Sequence, residues 1–177
     1  TKDNIYVLES PILSNSQFVK FTNFFGKNSK IIDCTFAKHQ TLKESLDNIL
    51  IQSEVAVRQG ATQLILTDQK ISDEIMAIPM PLCVGAINKH LIKNKLRGYV
   101  SINAQTGDVL DTHSFAILLG LGATTINPYL TLDSIYQRYE KKLFGKLSYD
   151  ECIERYIKSI NSGILKIMSK MGISVLS

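Results

Sequence analysis

Apolar residues follow two rhythms along this chain: short runs on consecutive positions, and longer stretches in which they return every three or four. Lys30-Ile31-Ile32-Asp33-Cys34, Gln63-Leu64-Ile65-Leu66-Thr67, Gly98 to Asn103 and Ala123-Thr124-Thr125-Ile126-Asn127 are runs of the first kind, and they read as buried strands. Between them the period lengthens. Thr41 and Glu44 have capping-box spacing, and Leu42, Leu46, Ile49, Leu50 and Val57 share one helical face up to Gly60. A second helix is predicted from Pro79 or Pro81 to Leu96, with its prolines where a first turn tolerates them, and a third from Asp108 to Leu119.

The first strand is preceded by an extended lead-in containing Pro11, Val7 to Leu13, and a short helix, Ser16 to Phe25. After Pro128 the pattern turns helical: Thr131 to Leu143, then a long helix opened by Ser148-Tyr149-Asp150-Glu151, again with capping-box spacing. In the long helix Ile153, Tyr156, Ile157, Ile160, Ile164, Ile167, Met168 and Met171 form a stripe, Gly172 ends it, and Ile173-Ser174-Val175-Leu176 starts another strand. Apolar strands alternating with helices define the expected fold class: α/β, with repeated βα units around a parallel sheet. With 177 residues, 45% of them hydrophobic, and no linker or low-complexity tract, residues 1–177 are expected to be a single domain.

Charge and cysteine usage narrow the functional classes. A formal net charge of +4 with 20% charged residues is far from the dense basic surface that neutralises a phosphate backbone, so no nucleic-acid partner is expected. No apolar run approaches the roughly 18 residues of a membrane span. Thr1-Lys2-Asp3-Asn4 has no apolar leader core, so membrane association and secretion are not expected. Cys34, Cys83 and Cys152 are widely spaced, without Cys-x-x-Cys or histidine at ligand spacing, which fits reduced thiols in a cytoplasmic protein.

Several residues invite a chemical reading, and each has a plainer one. Gly120-Leu121-Gly122 follows a helix and precedes a strand, the reverse of a dinucleotide loop, and is expected to be a helix cap and αβ turn. Asp108, Asp111 and His113 crowd a helix start as an acid–base or metal cluster would, but acidic residues there complement the macrodipole. His39 and His90 have no carboxylate or cysteine partners in sequence. Thr1 as an N-terminal nucleophile would be expected to lead into a buried strand; with polar Lys2-Asp3-Asn4 after it, the start of a fragment is the better explanation. Asp68 and Asn127-Pro128-Tyr129 lie where parallel sheets place functional groups, though capping and turn formation account for them equally well. Arg155, Lys158, Lys166 and Lys170 are expected to form a solvated helix face.

Taken together and in order, Ile65-Leu66-Thr67-Asp68-Gln69, Ile78-Pro79-Met80-Pro81-Leu82-Cys83-Val84-Gly85-Ala86, Leu96-Arg97, Gln105-Thr106-Gly107, His113-Ser114-Phe115-Ala116 and Gly120 to Leu130 resemble the central domain of glutamate synthase large subunits. Ile160-Asn161-Ser162-Gly163-Ile164-Leu165-Lys166-Ile167-Met168-Ser169-Lys170-Met171-Gly172-Ile173-Ser174 is similar to the segment just before that family's flavin-binding barrel. The resemblance runs from Glu9-Ser10-Pro11-Ile12-Leu13 to the last residue. It departs at Thr67 and Gln69, where the family usually has Ser and Arg, and at Asn88-Lys89-His90, where it is His-rich. The Thr-Asn-Pro-Pro segment associated with the family's ammonia channel is not among these residues.

The resemblance implies a part in reductive ammonia transfer. In the family a glutaminase domain releases ammonia from glutamine, and the ammonia travels internally to a flavin domain. There it combines with 2-oxoglutarate, and reduced FMN delivers the electrons that yield glutamate. The family's nucleophilic cysteine, flavin-binding residues and iron–sulfur cysteines belong to other domains. Residues 1–177 are therefore expected to hold no catalytic, cofactor-binding or metal-binding residues. They are expected to form a scaffold, the C-terminal part of the central domain, between the glutaminase and FMN domains of one chain. FMN and an iron–sulfur cluster are implied for the full-length enzyme only, with a small electron-donating subunit as a further partner. The implied fold is an incomplete FMN-linked, TIM-type barrel. Two other readings stand beside it: an independent FMN-type or aldolase-like barrel enzyme, for which the chain supplies roughly half of the eight βα units, and a small-molecule binding module using the strand ends around Asp68 and Asn127.

Overall fold

A computed structural model describes residues 8–108 and 111–172. In chain order the elements are helix α1 (Asn15–Phe25), strands β1 (Ser29–Asp33) and β2 (Thr35–Ala37), α2 (Leu42–Arg58), β3 (Gln63–Thr67), β4 (Ile75–Ala77), α3 (Met80–Lys93), β5 (Ser101–Gln105), α4 (Thr112–Leu121), β6 (Thr125–Asn127), α5 (Tyr129–Glu140) and α6 (Tyr149–Lys170). Four strands form a parallel sheet in the order β1-β3-β5-β6, with Ile31, Ile65, Asn103 and Thr125 in register across it. The order advances in one direction and the crossover helices share one face, as in a sector of a β/α barrel; a doubly wound sheet would reverse its order.

Strand alternation divides the sheet into two unlike faces. Toward the helices point Ile32, Leu64, Leu66, Ile102, Ala104 and Ile126, which join Ile49 and Val57 of α2, Val84, Ile87 and Leu91 of α3, Phe115 and Leu118 of α4 and Ile164 of α6 in one core. The opposite face carries Gln63, Ile65, Thr67, Asn103, Gln105, Thr125 and Asn127, and is mostly polar. Helix α1 crosses it, packing Phe18 and Phe21 with Ile65 and Leu13.

The caps explain where helices start. In α2 the Thr41 Oγ1 accepts the Glu44 amide at 3.1 Å and the Glu44 Oε2 accepts the Thr41 amide at 3.4 Å, so the box is complete. Its apolar stripe packs from Leu46 onward, while Leu42 in the first turn is 41% exposed. In α6 the Ser148 Oγ accepts the Glu151 amide at 3.2 Å. Helix α6 buries Ile153 and Ile164 and half-buries Tyr156, Ile157, Ile160, Ile167 and Met168, whereas Met171 is 65% exposed.

Other boundaries move for identifiable reasons. Helix α3 stops short of Leu96 because Lys95 takes φ 59°, and Arg97–Tyr99 form a single 3₁₀ turn, so β5 begins at Ser101 rather than Gly98. Helix α5 starts immediately after Pro128 and ends at Glu140, before Lys142 at φ 59°. Strands β2 and β4, which pair antiparallel as a separate two-stranded sheet, are too short to leave a periodic signal. The expected strand at Ile173 to Leu176, and Thr1, lie outside the described residues.

Candidate functional site at the carboxyl ends of the strands

Asp68 directly follows β3 and is 1% exposed. Its Oδ2 accepts the Thr106 hydroxyl at 2.6 Å, its Oδ1 accepts the Tyr129 hydroxyl at 2.6 Å, and the Gly107 amide reaches both oxygens at 3.1 and 3.2 Å. Thr106 and Gly107 follow β5, and Tyr129 opens α5 just beyond β6, so one carboxyl group ties together the ends of three strands. The network extends to a helix. Asp108 donates its amide to Thr106 Oγ1 at 2.9 Å and accepts the Met80 amide at the start of α3 at 2.9 Å. Burial, then the hydrogen bond to Asp68, raises the Tyr129 phenol well above its ordinary range, which keeps it a donor.

Beneath this clamp the polar face of the sheet is cross-linked in two rows. Thr67 Oγ1 donates to Gln105 Oε1 at 2.8 Å, and Gln105 Nε2 donates to Asn127 Oδ1 at 3.3 Å. Asn127 Nδ2 in turn donates to the Leu13 carbonyl and to Asn15 Oδ1, each at 3.0 Å. In the second row Thr125 donates to Asn103 Oδ1 at 2.7 Å, and Asn103 Nδ2 donates to Gln63 Oε1 at 2.9 Å and to the Leu64 carbonyl at 3.1 Å. Such networks rigidify a buried face when their members are satisfied.

At the opposite end of the sheet Arg97 acts as a clasp. Its guanidinium donates to Asn88 Oδ1 at 2.6 Å, to the Gly122 carbonyl at 3.0 Å and to the Val100 carbonyl. Gly122 caps α4 at φ 122°, and a Cβ there would lie 2.7 Å from Asn88 Cγ, a side chain that Arg97 holds in place. The helix-cap reading of Gly120-Leu121-Gly122 therefore holds.

The remaining candidates separate. Asp111 is the N-cap of α4, accepting the Ser114 amide at 2.8 Å and hydroxyl at 2.9 Å, while Asp108 caps α3 and His113 faces solvent. The expectation that both aspartates sit in one first helical turn is thus corrected: they serve two helices. His90 gains a partner that sequence proximity does not show, its Nε2 lying 2.8 Å from Glu54 Oε1 on α2. Arg58 and then His90 draw the Glu54 carboxyl below its ordinary range. His39, Arg155, Lys158, Lys166 and Lys170 are exposed. Arg97, Asn103 and Thr106 are not distinguishable as linkers by residue type; the one local signal is Gln105-Thr106-Gly107 at the end of a strand.

The sequence matches the glutamate synthase central domain family over residues 1–177. The chain belongs to that family. The glutamate synthase [NADPH] large chain of Azospirillum brasilense is 42% identical over 180 residues, spanning 100% of this chain and 12% of that protein. The corresponding large chain of Bacillus subtilis (strain 168) is 40% identical, over 94% of this chain and 11% of its own length. The ferredoxin-dependent, chloroplastic enzyme of Oryza sativa subsp. japonica is 38% identical, over 96% and 12%. The chain thus spans about an eighth or less of these relatives, each of which carries a glutamate synthase central domain within a much longer polypeptide.

Among the described residues, the cysteines and strand-end amides do not fit the groups implied for the full-length enzyme. An iron–sulfur cluster needs converging cysteines. Cys34 and Cys83 lie in the main core, Cys152 packs with Leu132 and Ile135 of α5, and no group of three metal-binding side chains forms among the described residues. A flavin phosphate needs open backbone amides at a strand end or helix start, but the Gly107 amide is engaged by Asp68 and the Met80 amide by Asp108.

Proposed function

We propose that this domain is a rigid scaffold in a glutamate synthase large chain, joining a glutaminase domain to an FMN-bearing synthase domain without contributing a reacting group. The observation that carries this is the state of Asp68. At the strand ends, where barrel enzymes present reacting groups to a substrate, it is buried and both of its oxygens are engaged by Thr106, Gly107 and Tyr129. The site stiffens the fold instead of receiving a ligand.

On this reading residues 1–177 are one domain, the C-terminal part of the central domain, ending where the FMN domain begins. Ammonia released from glutamine on one side is combined with 2-oxoglutarate and reduced on the other, with FMN and an iron–sulfur cluster held elsewhere in the polypeptide. A small electron-donating subunit is a further partner. The donor varies among relatives, whose names include NADPH, NADH and ferredoxin. No helix of the described residues is long and apolar enough to cross a membrane, and three buried free thiols suit the reducing cytoplasm.

The test is direct. The isolated 177-residue chain should release no ammonia from glutamine above a boiled control and should leave the fluorescence of added FMN unquenched. Glutamine hydrolysis, or stoichiometric micromolar FMN binding, would favour an independent barrel enzyme.

A further inference from the structure

We infer that Ser10 and Asn161 are a pair of positioning residues: their hydrogen bond fixes the segment by which the polypeptide enters this domain against the helix by which it leaves, and so sets the orientation of the two flanking domains. The inference rests on the scaffold reading, in which the chain arrives from the glutaminase side through residues 8–13 and departs toward the FMN domain through α6. The two segments meet directly although they are 151 positions apart. The Ser10 hydroxyl donates to Asn161 Oδ1 at 3.0 Å while its oxygen accepts the Ile12 amide at 3.0 Å, so both of its roles are in use.

The entry segment has little freedom. The Pro11 carbonyl accepts the Ile126 amide at 2.8 Å, Leu13 donates to the Ile126 carbonyl at 2.9 Å, and Ile12 is 1% exposed in the same core as Ile164. Whatever is tied to this segment is therefore tied to the sheet. The exit helix is held more loosely by apolar contact: Tyr156, Ile157, Ile160, Ile167 and Met168 are half-buried, and apolar attraction is non-directional, so it favours burial without choosing a register. Two neighbouring contacts do choose one. Asn161 meets Ser10, and two residues on Gly163 lies so close to Thr112 of α4 that an added Cβ would come 2.6 Å from Thr112 Cγ2. Sliding α6 by one residue moves it about 1.5 Å, which takes Asn161 out of the narrow distance range of a hydrogen bond. Leverage adds to the effect. Nine residues, about 13 Å of helix, separate Asn161 from the end of α6 at Lys170, so a tilt of about 10° pivoting at Asn161 displaces that end by about 2 Å.

The test is Asn161→Ala in the complete large chain, read as 2-oxoglutarate consumed per glutamine hydrolysed at a temperature where the domain is folded. Alanine removes the acceptor but is the better helix former, so the two effects offset, and the melting temperature of the 177-residue chain should move by no more than about 2 °C. The ratio should nevertheless fall about twofold or more, the factor by which one net hydrogen bond biases an equilibrium. Asn161→Asp, which keeps an acceptor for the Ser10 hydroxyl, should restore it. Adding Asn161→Ala to Ser10→Ala should lower the ratio no further than Ser10→Ala alone. A ratio unchanged in Asn161→Ala, or equally low in Asn161→Asp, overturns the inference, as does a ratio that drops only once the domain melts. The two readings fail separately. If the ratio also survives melting of the domain by Asp68→Ala, the scaffold reading itself fails; if it drops there but not in Asn161→Ala, the assignment of Ser10 and Asn161 alone fails.

Discussion

Replacing Asp68 with Ala removes the acceptor for three donors at once: the hydroxyls of Thr106 and Tyr129 and the amide of Gly107, in a site 1% exposed. A hydrogen bond to a charged group contributes about 1.5–3 kcal/mol, and a buried donor left unsatisfied costs a comparable amount. The three losses share one carboxyl group and do not add fully, so about 3–5 kcal/mol is expected. For a chain of this length each kcal/mol shifts the melting temperature by about 2–4 °C, giving a fall of roughly 6–20 °C. Urea unfolding followed by circular dichroism should show a lower midpoint at unchanged m. Asp68→Asn keeps the shape and one oxygen, and the two hydroxyls can rotate to accept from the new amide, so its cost should be about 1–3 kcal/mol. If Asp68→Ala stayed within about 0.5 kcal/mol of the parent, or proved milder than Asp68→Asn, the clamp argument would be wrong.

Tyr129→Phe should cost about 1–2 kcal/mol at neutral pH. Because folding raises the phenol's pKa, its contribution is complete below the unfolded value near 10 and is lost as pH rises toward the folded value. Urea midpoints from about pH 8 to about pH 11 should therefore show the parent's advantage over this variant shrinking at the alkaline end; a gap that widens there would contradict the sign. Gly163 lies where an added Cβ would come 2.6 Å from Thr112 Cγ2, so Gly163→Ala should destabilise by about 1–2 kcal/mol despite better helix propensity, and Thr112→Ala should reverse the loss in thermal melts. On α6, Ile164→Asp at a buried position should cost about 3–5 kcal/mol, Ile160→Asp at a half-buried one less, and exposed Lys158→Ala no more than about 0.5 kcal/mol; melts in the reverse order would undo the face assignment.

Elements whose signal is local were legible in the sequence. Strand β3 has the bounds Gln63–Thr67 that its apolar run indicates, and α2 opens on Thr41 and Glu44 as their spacing requires. What was not legible depends on partners distant in the chain. Asp68 and Tyr129 are recognisable as strand-end residues, but their bond spans 61 positions. Asp108 sits near a predicted helix start yet caps another helix 28 residues earlier, because the βα repeat places the end of β5 beside the start of α3. Arg97 reads as one more basic residue until the fold brings Asn88, Val100 and Gly122 around it. Ile160 and Ile164 belong to the same helical stripe, and only the position of α4 decides that Ile164 is the more deeply buried.

The central claim, that this domain couples two chemistries by position alone, is tested most directly by the ratio of glutamate formed to glutamine hydrolysed in the complete large chain. The measurement belongs at a temperature where the domain has melted in the Asp68→Ala variant and remains folded in the parent. Glutamine hydrolysis should persist in the variant while glutamate formation falls away, so that the ratio drops and ammonia escapes to solvent. An unchanged ratio with the domain melted would contradict the scaffold account.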